Sequence, residues 1–102
     1  MTDLGLSPDD VPLGALVPVV VDGEAFVVAH HAGGWCMFAD RCSHAPCAFS
    51  TNGEVVDGSV LVCNCHGAEF DLTTGDVLEL PAEDPIEIID VAPVDGSLRR
   101  TS

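Results

Sequence analysis

Short apolar runs rich in valine alternate with small polar turns along the chain, a pattern that predicts strands rather than helices. The run 16–21 is followed by Asp22-Gly23 and then by the run 24–29. An Asp-Gly pair between two such runs is a strong signal for a two-residue hairpin turn. The predicted strands are 16–21, 24–29, 35–39, 59–62, 68–72, 77–80, 86–91 and 98–100.

The spacing of these strands favours an all-β fold, an antiparallel sandwich or barrel. No segment shows a convincing amphipathic helical pattern, and residues 1–10 are expected to form an irregular lead-in. A chain of 102 residues is expected to form a single domain, 1–102. Residues 40–72 gain cysteine, histidine and proline, so we expect them to form a ligand-bearing subdomain on a β base made of 1–39 and 73–102.

The charge of the chain restricts its partners. Three Lys and Arg against 17 Asp and Glu give a formal net charge of −14. This charge argues against nucleic acid and anionic membranes, and it favours salt-sensitive docking to basic protein partners. No apolar run approaches the ~20 residues of a membrane span, and the acidic start of the chain does not resemble a Sec or twin-Arg signal. We therefore expect a cytoplasmic monomer with no membrane partner.

Two short motifs in the middle segment carry the candidate chemistry. The first is a C-x-H motif with Cys42 and His44, and the second is a C-x-x-H motif with Cys63 and His66. Both are predicted on loops beside strands, so two loop tips could close one metal site. Five cysteines in a cytoplasmic chain indicate metal or redox chemistry before they indicate a disulfide framework.

Two kinds of metal centre could use this set of two cysteines and two histidines, a zinc site and a Rieske cluster. By ligand type the set fits tetrahedral zinc. Zinc fingers, however, usually pair Cys with Cys and His with His within each short motif, whereas each loop here offers one of each. A Rieske cluster needs that division, because one iron takes two thiolates and the other takes two imidazoles. We favour the cluster and keep a structural zinc-binding module as the non-redox alternative.

The two motifs and the residues after them resemble the Rieske family of [2Fe–2S] proteins, whose second motif is C-x-x-H-G. An apolar-Phe-Asp step, a Thr-Gly turn and a proline-containing loop follow it in that family. The matching residues here are Gly67, Phe70, Asp71, Thr74, Gly75 and Pro81. The resemblance covers about residues 35–90 and is specific because it joins two spaced motifs to this trailing pattern.

The resemblance implies a cofactor, a ligand set and a fold. Cys42 and Cys63 would bind one iron of a single Rieske [2Fe–2S] cluster, and His44 and His66 would bind the other. The implied fold is the antiparallel Rieske fold, in which a β base carries a small cluster-binding subdomain with two ligand loops.

The resemblance also implies a function. In size and charge the chain looks most like the ferredoxin component of multicomponent aromatic-ring-hydroxylating dioxygenases. Such a ferredoxin is not an enzyme and has no catalytic residues. It relays single electrons from a flavin-containing reductase to a terminal oxygenase. The alternative is a small Rieske subunit of another reductase, such as the assimilatory nitrite reductase type.

Comparison with high-potential Rieske proteins raises two further points. Those proteins join the non-ligand cysteines of the two loops, here Cys47 and Cys65, in a disulfide, whereas a reducing cytoplasm favours free thiols; both alternatives stay open. They also place Ser and Tyr hydroxyls where this chain has Ala68 and Phe70. The missing donors predict a midpoint potential near the low end of the Rieske range, roughly −150 mV.

The remaining candidates have simpler interpretations. Cys36 is expected to be a buried small hydrophobe, and His30 and His31 are expected at a strand end in solvent. Asp40 and Arg41 could form a local ion pair. The acidic residues that could form a docking face are Glu69, Asp71, Asp76, Glu79, Glu83 and Asp84.

Overall fold

The structure, a computed structural model, describes residues 2–41, 48–65, 67–79 and 85–101. Its strands are β1 (Thr2–Asp3), β2 (Leu16–Val21), β3 (Glu24–His31), β4 (Gly34–Ala39), β5 (Gly53–Val56), β6 (Val60–Cys63), β7 (Ala68–Asp71), β8 (Val77–Glu79), β9 (Ile89–Val94) and β10 (Ser97–Arg100). A 3-10 turn spans Pro8–Asp10, and a four-residue helix, α1, spans Phe49–Asn52. None of the helices in these ranges is long enough to cross a membrane.

Two antiparallel sheets confirm the all-β prediction. The six-stranded sheet has the order β1-β10-β9-β4-β3-β2, and the four-stranded sheet has the order β5-β6-β7-β8. The two ends of the chain build the six-stranded sheet, whereas its middle builds the four-stranded sheet. The segment that carries both candidate motifs therefore leaves the large sheet after β4, forms the small sheet, and returns at β9.

Asp22-Gly23 closes the hairpin between β2 and β3 as the sequence predicts, and Asp95-Gly96 closes another that was not predicted. Asp22 and Gly23 have φ angles of 52° and 82°, and the residues on either side of them pair directly. Asp95 and Gly96 repeat these angles between β9 and β10. Two successive positive φ angles give a turn whose twist matches that of the flanking strands, and Asp and Gly tolerate them best.

The six-stranded sheet is buried on both faces at its strands β3 and β4. Val27, Val28 and Ala29 follow one another in β3, and all three are fully buried. Val27 and Ala29 belong to an apolar core shared with the four-stranded sheet, whereas Val28 belongs to a second core on the opposite face. The second core is completed by residues of the N-terminal segment and of β9 and β10, namely Leu4, Val11, Ile89, Val91 and Leu98.

Several elements differ from the predicted ones. β1, α1 and β5 lie in segments where no regular structure was predicted. β9 begins at Ile89, three residues later than the run 86–91 predicts. The first part of that run lies elsewhere because the Ile86 N–H donates to the carbonyl of Gly75 (2.9 Å) in the turn between β7 and β8.

The two adjacent histidines at the end of β3 are not the solvent-facing pair expected from the sequence. His30 stacks on Trp35, with ring centroids 4.1 Å apart, and its Nδ1 donates to the Val11 carbonyl (3.0 Å). His31 is buried, and its Nδ1 accepts a hydrogen bond from the Gly33 N–H (3.1 Å). His31 must therefore be neutral to keep this bond.

We expect His31 to make the fold less stable in mild acid. Burial and the neighbouring His30 lower the pKa of His31 below its usual 6.5, and the nearby Asp71 carboxylate only partly opposes them. The unfolded chain then binds a proton more readily, so stability falls as pH drops through about 6.5 until the lower folded pKa is passed. His31→Asn keeps an acceptor for Gly33 but does not titrate. Between about pH 7.5 and pH 5.5 the wild type should lose more unfolding free energy in urea titrations than His31→Asn. Equal losses in the two proteins would contradict this assignment.

Candidate metal centre

Cys63, a predicted ligand, ends β6 and points into the core between the two sheets. The strand alternates, so Leu61 and Cys63 are fully buried and Val62 faces outward. Cys63 forms no disulfide and lies directly opposite Ala68 of β7 in the register.

The turn after Cys63 is closed by the backbone. The Gly67 N–H donates to the Cys63 carbonyl over 2.8 Å. Gly67 has a φ of 80°, a conformation that residues with a Cβ seldom adopt. The described ends of the second loop, Cys63 and Gly67, are thus joined by a direct backbone hydrogen bond.

The other three predicted ligands, Cys42, His44 and His66, lie outside the described residues. The structure therefore describes the residues on either side of the first loop but not the ligands within it. β4 ends at Ala39, and the described chain resumes at Ala48, which precedes α1 directly. The four-ligand set stays a prediction.

Asp40 binds across the first loop. Its Oδ1 accepts a hydrogen bond from the Ser50 N–H (2.8 Å), and its Oδ2 accepts one from the Ser50 hydroxyl (2.6 Å). The sequence suggested an ion pair between Asp40 and Arg41, but the carboxylate uses both oxygens on Ser50 instead.

The cysteines outside the ligand set fall into two environments. Cys36 is a buried free thiol whose pKa is raised to about 12 by burial and by the charge of Asp90. Such a thiol stays protonated and is not suited to metal binding. Cys65 takes part in a disulfide, but Cys47 lies outside the described residues. The Cys47–Cys65 pairing therefore stays a prediction.

The residues that follow the second motif stabilise the turn between β7 and β8. Asp71 Oδ1 accepts hydrogen bonds from both the backbone N–H and the hydroxyl of Thr73, and these bonds lower the pKa of Asp71. Gly75 has a φ of 85°, and a Cβ there would lie 2.0 Å from the Ile86 carbonyl oxygen. The Phe-Asp step and the Thr-Gly turn thus fix the reversal between β7 and β8.

The donor set fits a Rieske cluster better than zinc. The sequence supplies two cysteines and two histidines, one of each per loop, which is the division that two unlike irons require. Cys63 lies in an apolar core shielded from water, as a cluster thiolate would. Among the residues with described positions, no three His, Cys, Asp or Glu side chains group as a competing metal site.

Comparison with known proteins identifies the family. Residues 5–92 match the Rieske [2Fe-2S] domain. The chain belongs to the Rieske [2Fe–2S] family. A Rieske domain carries one [2Fe–2S] cluster, and we assign one to this protein.

Relatives of this Rieske protein include proteins named 3-phenylpropionate/cinnamic acid dioxygenase ferredoxin subunit. The protein of Photorhabdus laumondii is 38% identical over 69 residues, which are 68% of this chain and 65% of that protein, slightly under two thirds of its length. The protein of Shigella boydii is 36% identical over 89 residues, which are 86% of this chain and 80% of that protein.

Solved structures share the fold over nearly the whole chain. The Sphingomonas yanoikuyae B1 ferredoxin superposes with a TM-score of 0.85 and 26% identity, covering 98% of this chain and 96% of that one. A complex of reduced oxygenase and oxidized ferredoxin in carbazole 1,9a-dioxygenase gives a TM-score of 0.83 at 24% identity, covering 94% of this chain and 97% of that one. The second likeness shows the fold alone.

Sequence reasoning missed helix α1 and the contact between Asp40 and Ser50. The segment Phe49–Asn52 is too short to show a helical period. The hydrogen bonds of Asp40 to Ser50 join residues ten apart, which no local pattern indicates. A serine soon after the first motif and an aspartate just before it are the only signals that the sequence offers.

We predict that Ala68→Ser raises the midpoint potential. Directly opposed residues of antiparallel strands have Cβ atoms ~5 Å apart, so a hydroxyl at position 68 could reach the sulfur of Cys63. A hydrogen bond to a ligand sulfur favours the reduced cluster. A net gain of about 1 kcal/mol corresponds to about 40 mV for one electron.

The measurement is a redox titration followed by EPR. Ala68→Gly is the control, because it changes the side chain without adding a donor. A midpoint that stays unchanged or falls in Ala68→Ser would show that the hydroxyl does not reach the sulfur.

Proposed function

We propose that this Rieske protein is the ferredoxin component of an aromatic-ring-hydroxylating dioxygenase system. It would relay single electrons from a flavin-containing reductase to a terminal oxygenase in the degradation of aromatic compounds. The observation that carries the proposal is the 36% identity over 86% of the chain with a dioxygenase ferredoxin subunit. This relationship favours the dioxygenase system over the nitrite reductase alternative. The protein transfers electrons and is not itself the catalytic oxygenase.

The proposed ligands divide between the two loops. Cys42 and Cys63 would act as thiolates on one iron, and His44 and His66 as imidazoles on the other. When bound, the cluster accepts and releases one electron. Burial of Cys63 keeps water from its sulfur, and a disulfide between Cys47 and Cys65 would tie the loops together.

The proposed organisation is one Rieske domain, 1–102, with a cluster-binding subdomain at about residues 40–72 on a base formed by 1–39 and 73–102. β5, β6 and β7 form a separate sheet and lie in sequence between β4 and β9 of the six-stranded sheet, which supports this division. β8 pairs with β7 and adds one further strand to the small sheet.

Charge supports docking to basic protein surfaces. The net charge of −14 attracts a positively charged partner over long range and repels nucleic acid and anionic membranes. Glu69 and Asp71 lie on the outward positions of β7, and Asp76 is exposed in the following turn. We propose this acidic face as the docking surface of a cytoplasmic monomer.

The first experiment tests the cluster. Purified protein should contain iron and acid-labile sulfide in equal amounts and, when reduced, should show the Rieske EPR signal. His44→Ala or His66→Ala should abolish that signal, because each removes a ligand of one iron. His31→Asn is the matched control and should retain it. A colourless protein with bound zinc would contradict the proposal.

The second experiment tests the docking face. Electron transfer to the partner oxygenase should slow steeply when salt rises from about 0.05 M to about 0.5 M. Glu69→Gln combined with Asp76→Asn should slow it at low salt and weaken the salt dependence. The control combines Asp22→Asn with Asp95→Asn, which removes the same charge from exposed hairpin turns where Asn tolerates the positive φ. Equal effects of the two pairs would exclude this face.

A further inference from the structure

Helix α1 lies between the two candidate ligand loops in sequence and contacts the flanks of both. It begins after the first loop, at Phe49, and ends at Asn52, and β5 starts at the next residue, Gly53. β5 pairs with β6, which leads into the second loop. A single turn of helix thus connects two segments that must meet at one cluster.

The first contact fastens the helix to the residue before the first loop. Asp40 accepts two hydrogen bonds from Ser50, one from the N–H (2.8 Å) and one from the hydroxyl (2.6 Å). Bonds to a carboxylate are stronger than bonds between neutral groups. Because Asp40 precedes the first motif and Ser50 follows it, this pair closes the base of the loop.

The second contact fastens the same helix to the second loop. The Asn64 N–H donates to the carbonyl of Asn52 over 2.7 Å. Asn64 lies between Cys63 and Cys65, so this bond lies one residue from a proposed ligand. Asn52 also donates from its own N–H to the Ala48 carbonyl (3.0 Å), which keeps the end of the helix in place.

The helix is anchored in the core between the sheets. Phe49 is fully buried and meets Phe38 of β4 edge to face, with ring centroids 5.3 Å apart, and Phe70 of β7 with ring centroids 5.9 Å apart. Gly53 follows the helix without space for a side chain, because a Cβ there would lie 2.7 Å from the Phe49 oxygen and 3.2 Å from Leu16 Cδ1.

We propose that α1 sets the spacing of the two cluster-binding loops, and that Asp40 and Ser50 are positioning residues for the cluster. The proposal rests on the ligand set of the proposed function. Each loop gives one ligand to each iron, so the loops must keep a fixed separation for all four bonds to hold. Loss of the Asp40–Ser50 contact frees one end of the helix and loosens both loops.

The test compares Ser50→Ala with Thr51→Ala in the cluster-loaded protein. Thr51 is the next helix residue, and among the described residues its exposed hydroxyl contacts the Ala48 carbonyl (3.2 Å) and the neighbouring Asn52 side chain (3.1 Å). Ser50→Ala should lose its visible absorbance to a chelator about tenfold faster than the wild type. Thr51→Ala should match the wild type.

A second readout follows the second loop directly. In hydrogen-exchange mass spectrometry of the loaded protein, peptides that contain Asn64 should exchange faster in Ser50→Ala and not in Thr51→Ala. Asp40→Ala removes both bonds, whereas Ser50→Ala removes only the hydroxyl bond, so Asp40→Ala should exchange at least as fast as Ser50→Ala. Asp40→Asn should behave as the wild type does, because its amide can accept from the Ser50 N–H and donate to the Ser50 oxygen.

The outcomes separate this proposal from the proposed function. A wild-type protein without iron would contradict the proposed function. Iron-containing wild type with equal cluster loss in Ser50→Ala and Thr51→Ala would overturn the proposal about α1 alone. So would unchanged exchange at Asn64 in Ser50→Ala, or an Asp40→Asn variant as labile as Asp40→Ala.

Discussion

The contact of Phe49 with Phe38 and Phe70 is the interaction on which the arrangement of the site depends. One ring comes from the six-stranded sheet, one from the four-stranded sheet, and one from the helix between the loops. Aromatic pairs of this geometry contribute about 1 kcal/mol each beyond the area they bury. Because all three rings are fully buried, the sheets cannot shift against each other without moving α1. The core therefore couples the position of α1 to both sheets.

The two sheets differ in how many of their faces are buried, and this difference suits them to different roles. The six-stranded sheet has an apolar core on each face, so its middle strands form the rigid part of the molecule. The four-stranded sheet shares only one of these cores and presents its other face outward, where Val62 and Glu69 lie opposite each other. A redox site needs ligands on a rigid support close to a surface that a partner can reach. In the proposed function, the outward face of the small sheet is that surface, and the large sheet, buried on both faces, is that support.

The sequence predicted the strands and the chemistry far better than the support of the site. The strand at Leu16–Val21 and its hairpin through Asp22-Gly23 followed from local rules, because alternation and turn chemistry act between neighbours. The run at 86–91 was misplaced because a bond from Ile86 to Gly75, distant in sequence, overrides its strand propensity. Burial of His31 and the contact of Asp40 with Ser50 were missed for the same reason: both depend on segments that only the folded chain brings together.

Because the strong negative charge opposes folding, binding of the cluster should matter for the free energy of folding. Self-repulsion at a net charge of −14 opposes the compact state. One ion pair among the described residues, Arg99 with Asp3 at 3.7 Å, is partly exposed, and such pairs contribute less than about 1 kcal/mol. Burial in two small cores must therefore offset the repulsion. A cluster bound by the folded chain and not by the unfolded one adds its binding free energy to folding. With the cluster bound, this Rieske protein can thus keep a net charge of −14 that its apolar cores alone would support less well.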